Sequence, residues 1–165
     1  MDEQVQKLLG LIKKEVSVLE NFLTLLTEEQ KHLVKNDVSA LEKIVSEEEK
    51  EIGQAQKLEK ERLKLTDDLA EKLNVDKKEL NLSLLISLVE ESYSSKLEEL
   101  QKTLWELYCK VDRQKRKNEF LIKQSMSIID KQMKFFLGEQ ATPYYFKPKE
   151  KRKNGGVHLV VNQMG

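Results

Sequence analysis

The chain has 165 residues, of which 35% are charged and 6% aromatic, with 6 Gly and 2 Pro. A composition rich in Glu, Lys and Leu and poor in turn-formers is that of long helices in one domain or a small helical unit, and it argues against a sheet. The 39% apolar content closes only a thin bundle and leaves little room for a deep enzyme pocket.

The formal net charge is zero, yet it is unevenly spread. Residues 1–105 hold 16 Lys and Arg against 23 Asp and Glu, net −7, and residues 106–165 hold 13 against 6, net +7. The acidic part is expected to pack against or face the basic part. Ordinary solvated faces are one reading; an acidic partner for the basic C-terminal part is the other. The single Cys109 cannot form an internal disulfide, which fits a reduced cytosolic setting. The start, MDEQVQKLLGLIKKE, lacks the basic n-region and cleavage site of a signal peptide. The longest strongly apolar stretch, Leu80–Val89, is about half of what spans a bilayer. A cytoplasmic, soluble protein with no membrane insertion is the expectation.

Helix one is predicted from about residue 2 to 35. Its seam, Val5, Leu8, Ile12, Glu15, Leu19, Phe22, Leu26, Glu29 and Leu33, advances in steps of three and four. Leu9, Leu11, Val16, Leu23 and Leu25 broaden that stripe, as a helix with two neighbours requires. Asn36-Asp37 interrupts, and Asp37 suits the N-cap of the next helix because its carboxylate accepts from free amides of the first turn. Helix two, about 38 to 73, carries a less regular stripe of Val38, Leu41, Val45, Ile52, Ala55, Leu58, Leu65 and Leu69. Gly53 inside it costs about 1 kcal/mol against Ala, so the helix is either locally weak or closely packed there.

Residues 74–81 form the second connection, where Asp76-Lys77-Lys78-Glu79 has capping-box spacing and suggests a short helical turn. Helix three is predicted over about 83–137, with Gly138 placed to stop it and Pro143 beyond. At 1.5 Å per residue it would be roughly 80 Å long, against roughly 50 Å for each of the others, which leaves one of its ends uncovered. Its seam runs Leu97, Leu100, Leu104, Leu107, Val111, Gln114, Asn118, Leu121, Ser125, Ile128, Gln132, Phe135, unbroken in 3-4 steps. Such a stripe needs a partner helix. These elements predict an all-α fold: an elongated antiparallel three-helix bundle or coiled coil over residues 1–138, with a very long third helix and a flexible basic tail at 139–165. In the tail, ATPYYF precedes the basic KPKEKRKNGG and a β-prone VHLVV. That last run suits either an edge strand added to something or no fixed structure.

No catalytic signature is present. No Gly-rich turn leads into a helix with a Lys-Ser/Thr pair, His32 and His158 are isolated, and one Cys cannot build a Cys/His metal set. Glu47, Glu48, Glu49 and Glu51 spread around a helix and read as a solvated surface. Neither enzyme activity nor a cofactor, metal or small-molecule substrate is expected. The basic tail offers phosphate contacts, but without a recognition helix or aromatic platform nucleic acid is not the expected partner.

The first five seam positions of helix three are apolar, and four of the last seven are polar: Gln114, Asn118, Ser125 and Gln132. One buried polar residue fixes register in a coiled coil; four exceed that need. The other reading is a half-covered helix whose Leu121, Ile122, Ile128, Ile129, Met133, Phe135 and Phe136 await another helix, with adaptable Met126 and Met133.

The order of segments also carries a resemblance. A long first helix is followed by Asp37-Val38-Ser39-Ala40-Leu41-Glu42-Lys43-Ile44, then Leu58-Glu59-Lys60-Glu61-Arg62-Leu63-Lys64-Leu65. Next come Leu82-Ser83-Leu84-Leu85 and Asn118-Glu119-Phe120-Leu121-Ile122-Lys123-Gln124-Ser125, with a tyrosine after the helix stops. Over roughly residues 2–145 this resembles the FlgN family of flagellar type III export chaperones. The resemblance implies a non-enzymatic cytoplasmic chaperone. Such a protein binds the amphipathic C-terminal segments of the hook–filament junction proteins FlgK and FlgL and delivers them to the export gate protein FlhA. By motif it points to Asn118, Leu121, Ile122 and Ser125 for client binding. Ile128, Ile129, Met133 and Phe136 join them from the open stripe, and Tyr144 or Tyr145 is implied in gate docking. The alternative is a coiled-coil scaffold or homo-oligomer with no client.

Overall fold

The computed structural model describes residues 2–137. It holds four helices: α1 (Asp2–Lys35), α2 (Val38–Leu73), α3 (Leu82–Leu88) and α4 (Glu91–Leu137). The expected tail and its two tyrosines lie outside the described residues. Contacts divide the chain into two compact units, the first ending at Lys123 and the second starting at Gln124. The first contains α1, α2, α3 and most of α4.

The helix ends follow from local chemistry. Asn36 takes a left-handed φ of 54°, a conformation that asparagine tolerates better than most residues. Asp37 N–H then bonds back to the His32 carbonyl at 3.1 Å. Asp37 caps α2, its Oδ1 accepting from Ala40 N–H at 3.1 Å. Asn74 ends α2 in the same left-handed geometry, φ 54° and ψ 42°. In the connection, Asp76 Oδ1 accepts from Lys78 N–H at 2.8 Å, and the Asp76 carbonyl accepts from Glu79 and Leu80. The result is one hydrogen-bonded turn and not a separate helix. Asn81 caps α3, its Oδ1 accepting from Leu84 N–H at 2.9 Å.

One correction concerns the third helix, expected unbroken over about 83–137. It is interrupted after Leu88, where Val89 is extended (φ −96°, ψ 165°). No Gly or Pro marks the break. Its cause is packing: Leu85 and Leu97 both enter one buried cluster with Val5, Leu8, Leu9, Ile12 and Leu69. In an unbroken helix they would stand about 18 Å apart along the axis, farther than Val5 to Ile12 on α1. Turning the chain at Val89 lays the apolar α3 onto the same cluster.

Cross-chain pairs give the directions. Glu15 meets Arg62 at 2.9 Å, and Leu9 shares the cluster with Leu69, so α1 and α2 are antiparallel. Gln6 meets Tyr93 at 3.1 Å and Gln30 meets Gln114 at 2.7 Å, so α4 runs parallel to α1. Among the described helices, α1 and α2 are the pair whose backbones run close over any length; α4 joins through its side chains.

The α2 stripe is a second correction. Leu69 is buried and Leu41, Leu58 and Leu65 are half-buried, but Val38, Val45, Ile52 and Ala55 are exposed, and Ile44 is buried instead. Gly53 has open space where a Cβ would stand. It therefore serves no close approach and simply weakens the helix.

Candidate functional site

The first part of the α4 seam is covered. Leu97, Leu107 and Asn118 are buried, and Leu100, Leu104, Val111 and Gln114 are half-buried. Asn118 is 2% exposed and fully engaged. Its Nδ2 donates to the Leu26 carbonyl at 2.8 Å and to Glu29 Oε2. Its Oδ1 accepts from Gln114 Nε2 at 3.1 Å, which also donates to Gln30 Oε1 at 2.7 Å. A buried amide is tolerated only with its partners made, so this layer ties α4 to α1 in one register. Glu48 on α2 is pushed up to about 7, first by burial and then by the charge of Glu29.

Past Asn118 the cover thins. Leu121 is half-buried, while Phe120 and Ile122 are exposed. In the second unit, Ser125 and Met133 are half-buried, and Met126, Ile128, Ile129 and Gln132 are exposed. Ile128 is 57% exposed. The side chain of Phe136 lies outside the description, as do Tyr144 and Tyr145. One register step from the expected seam, Ile122, Met126, Ile129, Met133 and Phe136 advance 4-3-4-3 along α4. Every position of this stripe is apolar, unlike the Leu121, Ser125, Ile128, Gln132 and Phe135 stripe beside it. An apolar row at heptad spacing is what a second helix packs against.

The structure thus separates the residues that sequence reading grouped. Asn118 is used within the helical unit, and Ile122, Ile128 and Ile129 present apolar surface. Three exposed aromatics went unread: Trp105, 71% exposed, Tyr108 and Phe120. Their signal was their type, since a large aromatic off the seam of a charged helix has no packing reason to be there.

Chemically, the arrangement offers an apolar helix face. Among the described residues no group of His, Cys, Asp and Glu could hold a metal ion, and no helix is long and apolar enough to cross a membrane. These features describe a helical protein with an exposed apolar face on its last helix. A family model described as FlgN protein matches residues 1–152. The chain belongs to the FlgN family, and with it to the non-catalytic, protein-binding chaperones of flagellar export. No curated protein and no solved structure matches it.

Proposed function

We propose that this protein is a cytoplasmic export chaperone that binds the amphipathic C-terminal segments of the hook–filament junction proteins FlgK and FlgL. The client lies along α4 from Leu121 to Phe136, with Ile122, Ile129, Met133 and Phe136 as its main apolar contacts and Leu121, Ser125 and Ile128 at the edge. Asn118 closes the covered part of the helix and bounds the site. The observation that carries this reading is the wholly apolar row at heptad spacing on α4, exposed at Ile122, Met126 and Ile129. A client segment that is unstructured before assembly pays an ordering cost on binding, so affinity is moderate and release is possible without ATP. Burying the segment's apolar face blocks premature polymerisation. Tyr144 or Tyr145 docks the loaded chaperone to the export gate protein FlhA.

Calorimetric titration of the chain with the FlgK and FlgL C-terminal segments tests the proposal. One-to-one binding with a negative heat-capacity change is expected. Absence of heat with both segments, in a sample shown by circular dichroism to be helical, overturns it. A mass that rises with concentration and falls when client is added means that the same row also pairs with itself. A mass that rises and is indifferent to client supports the scaffold reading instead.

A further inference from the structure

Away from the proposed client row, α2 and α4 leave a cleft over α1. It contains two hollows, both within the first unit. The first, about 380 Å³, has Val18, Leu19 and Phe22 of α1 as its floor, with Ile52 and Val111 on its walls. The second, about 350 Å³, is lined by Leu8, Ile12, Leu85 and Leu104, among others. Glu15, Arg62 and Tyr108 line both, so the Glu15–Arg62 ion pair stands between them. Several apolar side chains at the cleft are exposed: Ile52, Leu63 and Tyr108. This is where the α2 stripe departs from a covered seam.

Charge indicates the occupant. The first hollow is lined by three carboxylates, Glu15, Glu51 and Glu59, and one guanidinium, Arg62. Arg62 is already taken by Glu15, so Glu51 and Glu59 are left unbalanced. The Glu51 Oε2 atom is buried and has no hydrogen-bond partner. That oxygen is closed to solvent as it stands, whereas Glu59 is exposed at the rim, where a partner's Lys or Arg can meet it. The spacing indicates its form. The α1 residues lining the two hollows are offset by about seven positions and the α2 residues by about eight, so along these helices the hollows lie roughly 10–13 Å apart. On a bound helix that separation is two turns, the distance between apolar anchors at i and i+7 or i+8. Tyr108, which lines both hollows, is an exposed aromatic of the kind that contributes strongly to binding, and Trp105 lies three residues before it on α4.

We infer that the α2–α4 cleft is a second docking site, for a basic amphipathic helix of another protein. The occupant places two apolar anchors in the hollows and a Lys or Arg against Glu51 and Glu59. The site lies wholly within the first unit and shares no residue with the α4 row.

The probes are two synthetic helical peptides with leucines at i, i+4, i+7 and i+8, one flanked by Lys and Arg and its twin by Glu. Each is titrated into the full chain, read by calorimetry and by the fluorescence of Trp105, the single tryptophan. Expected is one-to-one binding of the basic peptide at least tenfold tighter than of the acidic one, with a shift in Trp105 emission. Glu51→Lys with Glu59→Lys should reverse that preference. Glu59→Lys alone, at an exposed position, should weaken the basic peptide several-fold while leaving the fold intact. Ile122→Glu with Ile129→Glu should leave peptide binding unchanged while reducing FlgK or FlgL segment binding. Equal affinity for both peptides, binding of neither, or loss of peptide binding in the Ile122/Ile129 variant overturns the inference. So does displacement of the peptide by self-association, which would make a second copy the occupant.

Discussion

The two halves of α4 share one spacing and differ in cover. Leu97, Leu107 and Asn118 are buried, whereas Ile128, Gln132 and Phe135, on the same 3-4 steps, are exposed. Spacing decides which residues share a stripe; it does not decide whether anything lies on that stripe. What separates the halves is a polar layer. Gln114 and Asn118 are bound to Gln30, Glu29 and the Leu26 carbonyl. Sliding α4 by a turn along α1 would strip a buried amide of its partners, at about 1–3 kcal/mol. The layer therefore holds the covered half of α4 in register on α1.

Substitutions on either side sharpen that contrast. The largest stability loss belongs to the covered side. Leu8 and Leu69 are fully buried in the main cluster, and Leu8→Ala or Leu69→Ala should cost about 2–5 kcal/mol in urea unfolding. Ile128→Ala, on the open side, should change stability by no more than about 0.5 kcal/mol. A comparable loss at Ile128 would mean that the open half is core.

Asn118→Ala should cost about 1–3 kcal/mol, because it removes the buried amide's bonds to the Leu26 carbonyl, Glu29 and Gln114. An effect no larger than at an exposed α4 position, measured in the same titration, would remove the polar layer from the explanation. Gly53→Ala should stabilise the protein by about 1 kcal/mol, since the added Cβ meets nothing and the helix gains propensity. A loss would show that α2 needs its weak point.

A further effect is a pH dependence at Glu48. Its folded value, raised to about 7 from 4.5, means that the folded chain binds this proton more tightly than the unfolded one. Stability from this group is fully present below about pH 4.5 and is lost as pH rises through about 7. Glu48→Gln mimics the protonated form. It should raise the melting temperature at pH 8 and converge with wild type toward pH 4.5. An equal difference at both pH values would assign the effect to packing.

Much of this was legible in the residues and some was not. Asn36-Asp37 and Asn74 announce the ends of α1 and α2, because asparagine accepts the left-handed turn and aspartate caps the next helix. The apolar positions Leu97 to Val111 announce a covered seam. Val89 announces nothing: the break there arises because α3 and α4 serve the same cluster, a fact about three-dimensional packing. The α2 stripe at Val38, Val45 and Ile52 was visible, but its exposure was not, since period alone cannot report a missing neighbour. Asn118 was legible as a polar seam position. Its engagement by Leu26 and Glu29, more than eighty residues away, was not.

The central claim is that the apolar row on α4 binds clients without being part of the core. It is tested most directly by Ile122→Glu with Ile129→Glu, comparing helicity by circular dichroism and binding of the FlgK and FlgL segments by calorimetry. Expected is helicity and melting close to wild type together with loss of client binding. Collapse of helicity would make these residues core, and undiminished binding would place the client elsewhere; either result contradicts the claim.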